Sequence, residues 1–462
     1  MKMEQYITIK SPINDEVLGQ VIALSQMAVD EKIQKSKQAL KGWRETSLYE
    51  RGQFLYKAAD LLVQKSDELI DLLMKEVGKD RKGATSEVMR TADLIRYTAD
   101  TAKTLYGQMI PADTVESVQK GKFAMTSREP IGVVLAISPF NYPVNLAASK
   151  IAPALMGGNT VVFKPATQGS LSGVFLANLF IEAGLPADVL NVVTGKGSEI
   201  GDYVVTHPDI NFINFTGSTE IGKRIAKQSE MIPLLMELGG KDAAIVLEDA
   251  DLELAASQII SGAFSYSGQR CTAIKRVLVL DEVADTLVEK LLQNIKKLKV
   301  GNPLEQEADV VPLIDGKSAD FVWGLIEDAK DLGAKLLYGG TREGNLIAPT
   351  LLDEVTPKMR VAWEEPFGPV LPIIRVKSLE EAIDLANESE YGLQSSVFTT
   401  NINRAFEVAK KLEVGTVQVN NRTERGPDHL PFLGVKNSGI GVQGIAYSIE
   451  SMTRIKSTVI NL

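Results

Sequence analysis

The feature that most constrains this chain is a series of short, branched apolar runs separated by helix-length segments. Residues 131–137, 160–163, 190–193, 212–215 and 243–247 are rich in Val, Ile and Phe, and several are separated by segments such as 170–183 and 220–227 with helical apolar spacing. Such runs suit strands covered on both faces, and their alternation with helices reads as βαβ units feeding a parallel sheet. A second series begins near Asp251, with a strand at 276–280, a helix at 283–298 and further units to Val419. Ahead of both series, 30–39, 49–79 and 84–105 read as helices. Residues 111–129 alternate around Gly121 as a β-hairpin, and 452–462 read as a lone terminal strand. The pattern predicts an α/β chain of two parallel-sheet domains, plus a small β arm made from the hairpin and the tail.

Composition narrows the class of function. The 462 residues carry a formal charge of −9, which argues against nucleic acid or an anionic membrane as a partner held by bulk charge. No run approaches the ~18 apolar residues of a membrane span; the most apolar stretch, 131–164, is broken by Asn141, Pro143, Lys150 and Asn159. The first ten residues lack the apolar core of a signal peptide. One cysteine, Cys271, forms no internal disulfide, and with only His207 and His429 beside it a zinc site is excluded. A cytoplasmic protein without metal is expected.

Two glycine-bearing turns follow strands and open helices. In Asn214-Phe215-Thr216-Gly217-Ser218-Thr219-Glu220-Ile221-Gly222, backbone N–H groups and a helix N-terminus are placed to hold a phosphate. Gly217 to Lys223 also satisfies most of a P-loop, but Arg224 stands where an NTPase needs a Ser or Thr for magnesium. Upstream, Gly195-Lys196-Gly197-Ser198-Glu199-Ile200-Gly201 misses the Rossmann fingerprint by one residue. Each turn alone is equally an ordinary strand-to-helix connection. Two in successive units suggest a dinucleotide in a variant Rossmann domain, with a P-loop NTPase as the alternative from another class.

Cys271 lies in Ser265-Tyr266-Ser267-Gly268-Gln269-Arg270-Cys271-Thr272, after a helical segment and before a strand. A lone cysteine is most often a small buried filler. Here glycine permits close backbone approach, and Arg270 can stabilise a thiolate. A cysteine protease would need His429 as partner, and His429 stands in a loop with no supporting motif.

Five motifs then fall in one order: Ser138-Pro139-Phe140-Asn141-Tyr142-Pro143, Phe215-Thr216-Gly217-Ser218-Thr219, Met236-Glu237-Leu238-Gly239-Gly240-Lys241, Gly268-Gln269-Arg270-Cys271 and Glu364-Glu365-Pro366-Phe367-Gly368-Pro369. Together they resemble the motif set of the aldehyde dehydrogenase superfamily across nearly the whole chain. Ser86-Glu87-Val88-Met89-Arg90-Thr91, Cys271-Thr272-Ala273-Ile274-Lys275-Arg276 and Arg425-Gly426-Pro427-Asp428 are most similar to the NADP-dependent branch that oxidises glyceraldehyde 3-phosphate without phosphorylating it. The strand ahead of Ile9-Lys10-Ser11-Pro12 looks shortened relative to that family. The resemblance implies a cofactor-binding domain from 1–109 and 127–239, a catalytic domain over 240–436, and an oligomerisation arm with C-terminal tail from 110–126 and 437–462. It also implies a homo-oligomer, dimer or tetramer.

The same resemblance assigns chemistry. Cys271 attacks the aldehyde as thiolate, Asn141 and the Cys271 N–H hold the oxyanion, and Glu237 activates water to hydrolyse the thioester. The presence of Glu237 argues against relatives that pass the acyl group to coenzyme A. NADP is expected against Pro139, Lys164, Thr167, Gly197, Gly201, Thr216, Gly217, Ser218, Gly222, Leu238, Glu365 and Phe367. Thr167 stands where NAD-preferring relatives commonly place a glutamate that would repel the 2′-phosphate. Arg90, Tyr142, Arg270, Thr272 and Arg425 are expected around a small phosphorylated aldehyde. Another anionic aldehyde, such as succinate semialdehyde, remains the alternative within the class.

Overall fold

The structure, a computed structural model, describes residues 5–117 and 121–462. Residues 1–4 and the 118–120 portion of the expected hairpin lie outside the described residues. The chain opens with an antiparallel hairpin, β1 (Gln5–Lys10) and β2 (Val17–Ala23), which the sequence reading did not find. Each strand buries a single side chain, Ile9 or Val21, so neither shows the regular alternation of a half-buried strand.

Four helices follow: α1 (Gln26–Trp43), α2 (Leu48–Gln64), α3 (Ser66–Val77) and α4 (Arg81–Ala102). The single helix expected over 49–79 is two. Lys65 leaves helical geometry at φ −103° and ψ 19°, and Asp67 and Glu68 supply a fresh acidic first turn. Gly78, at φ 66°, then ends α3 in the left-handed conformation that glycine adopts without strain.

After the short strand β3 (Met109–Pro111), β4 (Lys122–Pro130) pairs back on it as the expected hairpin. The first sheet is built from β5 (Val133–Ile137), β6 (Thr160–Lys164), β7 (Leu190–Val192), β8 (Phe212–Thr216) and β9 (Leu234–Glu237). Between them run α5 (Asn145–Met156), α6 (Ser170–Glu182), α7 (Gly197–Val205) and α8 (Thr219–Gln228). Every residue of α5 is buried, as a helix enclosed on all sides requires.

The second sheet takes β10 (Ala243–Val246), β11 (Arg276–Leu280), β12 (Lys335–Tyr338), β13 (Thr350–Asp353), β14 (Val370–Val376), β15 (Gln394–Phe398) and β16 (Thr416–Val419), in the order β12-β13-β14-β11-β10-β15-β16. Only β12 at the edge runs antiparallel. Helix α9 (Leu252–Phe264) delivers the chain to the segment before β11.

The stretch from 437, expected as arm and C-terminal tail, divides between two sheets. Strand β17 (Gly439–Ile440) joins the first sheet beside β9, giving the order β17-β9-β8-β5-β6-β7. The helix at Ile445–Ser451 then packs on α5 and α4. Only β18 (Thr453–Asn461) belongs to the arm, and it is not alone: it pairs along the whole of β4 in a three-stranded sheet. The hairpin and the tail, expected to make one β arm, share this sheet.

Asn159 fastens this junction. Its Nδ2 donates to the carbonyls of Ala154 (3.0 Å) and Met452 (2.8 Å), and its Oδ1 accepts from the Gly132 N–H (2.9 Å). Asn159→Ala leaves the Gly132 N–H and the Met452 carbonyl without this partner in a dry interior, while the Ala154 carbonyl keeps the main-chain N–H of residue 159 (3.0 Å). It is expected to lower stability by about 2–4 kcal/mol in urea unfolding, whereas a loss within error would mean that the junction holds without it.

Candidate active site

In the first sheet the strand order reverses at β5, which has β6 on one side and β8 on the other. At such a point the connections leave in opposite directions and a crevice opens beyond the carboxyl ends of the strands. Ser138–Asn141 follow β5, Lys164 ends β6, Thr216-Gly217-Ser218 joins β8 to α8, and Glu237 ends β9. These residues, with Gly197, Gly201, Leu238, Cys271, Glu365 and Phe367, line one cavity of about 630 Å³.

Of the residues expected to meet the cofactor, Thr167 and Gly222 are not on its wall. Thr167 stands one residue past Ala166, which is, and its carbonyl accepts from Ser170 Oγ (2.8 Å). Gly222 serves packing: a Cβ there would sit 2.4 Å from Leu238 Cδ2, so only glycine lets α8 lie this close to β9's end.

The cavity has the chemistry of a phosphate-bearing ligand site. Lys164 is buried with only a 3.4 Å bond to the Pro165 carbonyl, and burial pulls its ammonium down to about 8. A Cβ on Gly197 or Gly201 would meet nothing within 4 Å, so bare backbone faces open space at the start of α7. A dinucleotide fits these groups. A P-loop reading does not: Lys223 pairs with Glu390 (3.2 Å) and is absent from the cavity wall.

The turn ahead of Cys271 is held under strain. Tyr266, Ser267 and Gly268 all have positive φ, at 51°, 55° and 71°. Such backbone persists only when its surroundings over-determine it. Tyr266 Oη donates to the Val77 carbonyl (2.6 Å), and Ser267 Oγ bridges the carbonyl and N–H of Val311 (2.7 Å each). A Cβ on Gly268 would come within 2.5 Å of the Gly368 carbonyl, so the loop carrying Glu365 and Phe367 presses on the turn that presents Cys271.

Asn141 Nδ2 donates to the Gln269 carbonyl (2.9 Å), which sets the amide beside the same turn. Glu237 is 1% exposed, and neither of its carboxylate oxygens has a hydrogen-bond partner among the described residues. Burial, and then the Glu237 charge, push the Cys271 thiol well above its ordinary value, with Lys275 and Arg425 opposing.

A second cavity of about 580 Å³ reaches Cys271 from the other side. Arg90, Tyr142, Arg270, Thr272 and Arg425, drawn from distant parts of the sequence, all line it. The three arginines are not equally free. Arg90 is engaged by the Asp428 carboxylate (3.2 Å), and Arg270 Nη2 donates to the Gly262 carbonyl (2.6 Å). Arg425 has a buried Nη1 without a partner among the described residues and stands 4.0 Å from Glu237. His429 packs on the Tyr97 ring and lines neither cavity, so no histidine serves the thiol.

The family model for the aldehyde dehydrogenase family matches residues 1–458. The chain belongs to the aldehyde dehydrogenase family. It is 56% identical to NADP-dependent glyceraldehyde-3-phosphate dehydrogenase of Streptococcus equinus over 99% of this chain and 96% of that one. It is 50% identical to the enzyme of the same name from Pisum sativum, over 99% and 92%. Among solved structures it matches NADP-dependent glyceraldehyde-3-phosphate dehydrogenase from Bacillus halodurans C-125 complexed with NADP. There the TM-score is 0.98 and the identity 58%, over 99% of this chain and 96% of that one.

Within this aldehyde dehydrogenase the sequence reading missed the groups that hold the site from behind. Lys150, fully buried on α5, donates to Thr216 Oγ1 (2.7 Å). Burial first and Arg425 second pull its ammonium down to about 7, while Glu237 and Cys271 oppose. A single charge inside an otherwise uncharged, mostly apolar helix was the available signal. Lys79 and Glu87, 1% and 0% exposed, form an ion pair whose ammonium also donates to the Asn141 carbonyl (2.7 Å). Glu87 accepts from the N–H groups of Val144 (2.9 Å) and Asn145 (3.1 Å).

An anion beside a thiol disfavours the thiolate, so neutralising Glu237 lowers the thiol pKa. Glu237→Gln is therefore expected to speed alkylation of Cys271, the sole thiol, by iodoacetamide at neutral pH. Equal or slower alkylation would mean that burial alone sets the thiol.

Proposed function

We propose that this chain oxidises glyceraldehyde 3-phosphate to 3-phosphoglycerate with reduction of NADP to NADPH. The observation that carries the reading is the position of Cys271, which lines both the phosphate-suited cavity and the arginine-lined one. NADP would be held in the first by Lys164, the bare backbone at Gly197 and Gly201, the start of α8 at Ser218, and Glu365 with Phe367. Its chemistry there is to accept the hydride of the Cys271 adduct, which leaves an acyl thioester on sulfur.

The remaining work falls to the chain itself. The Cys271 thiol loses its proton and its sulfur adds to the aldehyde carbon. The Asn141 amide and the Cys271 N–H hold the oxygen of the resulting thiohemiacetal, in a site where each donor is worth ~3 kcal/mol. Glu237 removes a proton from the water that attacks the thioester carbonyl; the C–S bond breaks and the acid leaves. Two features support Glu237 as that base: its oxygens have no hydrogen-bond donor among the described residues, with Arg425 Nη1 4.0 Å from Oε2, and it lies at the wall of the cavity that Cys271 shares. Lys150, poised near 7 behind Thr216, is suited to taking up or giving back a proton nearby.

Arg425, Arg90 and Arg270, with Tyr142 and Thr272, would hold the phosphate and orient the chain of the substrate. Arg425 makes only long ion pairs, to Glu237 and Asp428 (4.0 Å each), and has an Nη1 without a hydrogen bond among the described residues, and a guanidinium holds phosphate through two parallel hydrogen bonds. The same reading makes the protein a cytoplasmic homo-oligomer, dimer or tetramer. The three-stranded arm supports this, since β18 leaves Ile455 and Val459 65% and 52% exposed.

NADPH formation from glyceraldehyde 3-phosphate tests the proposal. Losing charge-assisted bonds of about 1.5–3 kcal/mol, Arg425→Met should raise KM for that substrate roughly 10- to 100-fold and that for unphosphorylated glyceraldehyde far less. Equal losses, or a wild-type preference for succinate semialdehyde, would refute the substrate. Thr167→Glu brings a carboxylate toward the 2′-phosphate and should shift preference to NAD; a wild-type protein specific for NAD would refute the cofactor.

A further inference from the structure

Lys275 stands four residues after the nucleophile, just ahead of β11, and has no part in the chemistry above. It is 1% exposed. Its ammonium donates to the main-chain carbonyl of Cys271 and lies 3.1 Å from Glu365 Oε1. Its own N–H donates to the Asp242 carbonyl (2.9 Å), which fixes the backbone of Lys275 against the residue just ahead of β10. The Glu365 carboxylate in turn accepts from the Gly240 N–H (3.2 Å). Two loops remote in sequence, the nucleophile turn and the loop at 364–369, thus share one enclosed cation.

Neighbouring cations are otherwise committed. Lys241 donates to the Glu364 carbonyl (2.8 Å), and Arg276 is spent on the carbonyls of Lys241 (3.2 Å) and Ala386 (3.0 Å). Neither makes an ion pair with Glu365. A carboxylate in a mostly buried setting stays ionised and oriented only with a cation or several donors around it. Lys275 supplies the cation, and the same three-proton head holds the peptide next to the sulfur.

We infer that Lys275 is a positioning residue that couples the cofactor's ribose site to the nucleophile, one ammonium holding both the Glu365 carboxylate and the Cys271 carbonyl. This rests on the reading that Glu365 takes up the ribose of NADP. Movement or neutralisation of Glu365 therefore reaches the nucleophile turn without any change in the strands beneath.

Lys275→Met keeps the apolar stem and removes the charge. Titration calorimetry of the full-length protein with NADP is expected to show affinity weakened about tenfold or more in Lys275→Met and in Glu365→Gln. In the double variant the two losses are expected not to multiply, because each acts through the other. Iodoacetamide alkylation of Cys271 without cofactor gives a second readout, in opposite directions. It slows in Lys275→Met, which loses a cation beside the sulfur, and quickens in Glu365→Gln, where the ammonium is left to the nucleophile turn alone. A merely structural lysine would not reverse the sign.

Multiplicative losses, or parental NADP affinity in Lys275→Met beside weakened Glu365→Gln, would overturn the coupling while leaving the ribose reading of Glu365 in place. Parental affinity in Glu365→Gln would remove that reading and the coupling with it. Should Lys275→Met fail to fold, Glu365→Gln decides alone: unchanged or slower alkylation overturns the proposal.

Discussion

The site depends on a buried ion pair far from any bond that is made or broken. Lys79 and Glu87 bracket the segment between β5 and α5, the cation on the Asn141 carbonyl and the anion on the Val144 and Asn145 N–H groups. The Lys79 ammonium also sits 3.7 Å from the centre of the Tyr142 ring. Enclosing both charges costs desolvation that their attraction only partly offsets, so such pairs contribute geometry more than stability. Here the geometry is that of a loop which must stay put at the end of a strand. Asn141 in turn reaches the Gln269 carbonyl, and through it the turn that carries Cys271. Two sheets are thereby registered to each other through a few polar contacts.

Much of this was legible in the chain. The strands 276–280 and 160–164 stand out because branched apolar runs with no polar face have few alternatives to a covered strand. The candidate site was legible where rare residues or glycine-rich punctuation mark it: Cys271, Asn141 and Gly217 all come to the wall of one cavity. What escaped shares a cause. Lys79, Glu87 and Lys275 look like ordinary helix or loop charges until folding encloses them, and no local pattern announces a charge that will be paired across the fold. Gly222, expected to meet the cofactor from its place in a phosphate-type turn, lies off the cavity wall, and its missing side chain makes room for Leu238. The β1–β2 hairpin left too weak an alternation, and the split at Lys65 depends on backbone angles that periodicity does not carry.

Buried lysines recur around the site in graded states. Lys164, near 8, waits by one wall of the first cavity, and Lys150, near 7, stands behind another. Lys241 is held far below the ordinary range by burial. Because an enclosed ammonium is costly, each is placed where it meets a carbonyl, hydroxyl or carboxylate, and the low dielectric that makes them costly also lengthens their reach. The reacting centre is thus governed by a field set in the fold, with the two cavities supplying access from opposite sides.

The raised thiol has a bearing on survival as well as on turnover. Peroxide and other oxidants attack sulfur as thiolate, and a protonated thiol climbs the ladder to sulfenic and sulfinic acid slowly. Burial and the Glu237 charge both act against ionisation of the sulfur, and so against that attack, while the side chain stays only partly buried between the two cavities. Cys271 has no second cysteine in the chain with which to form a protective disulfide.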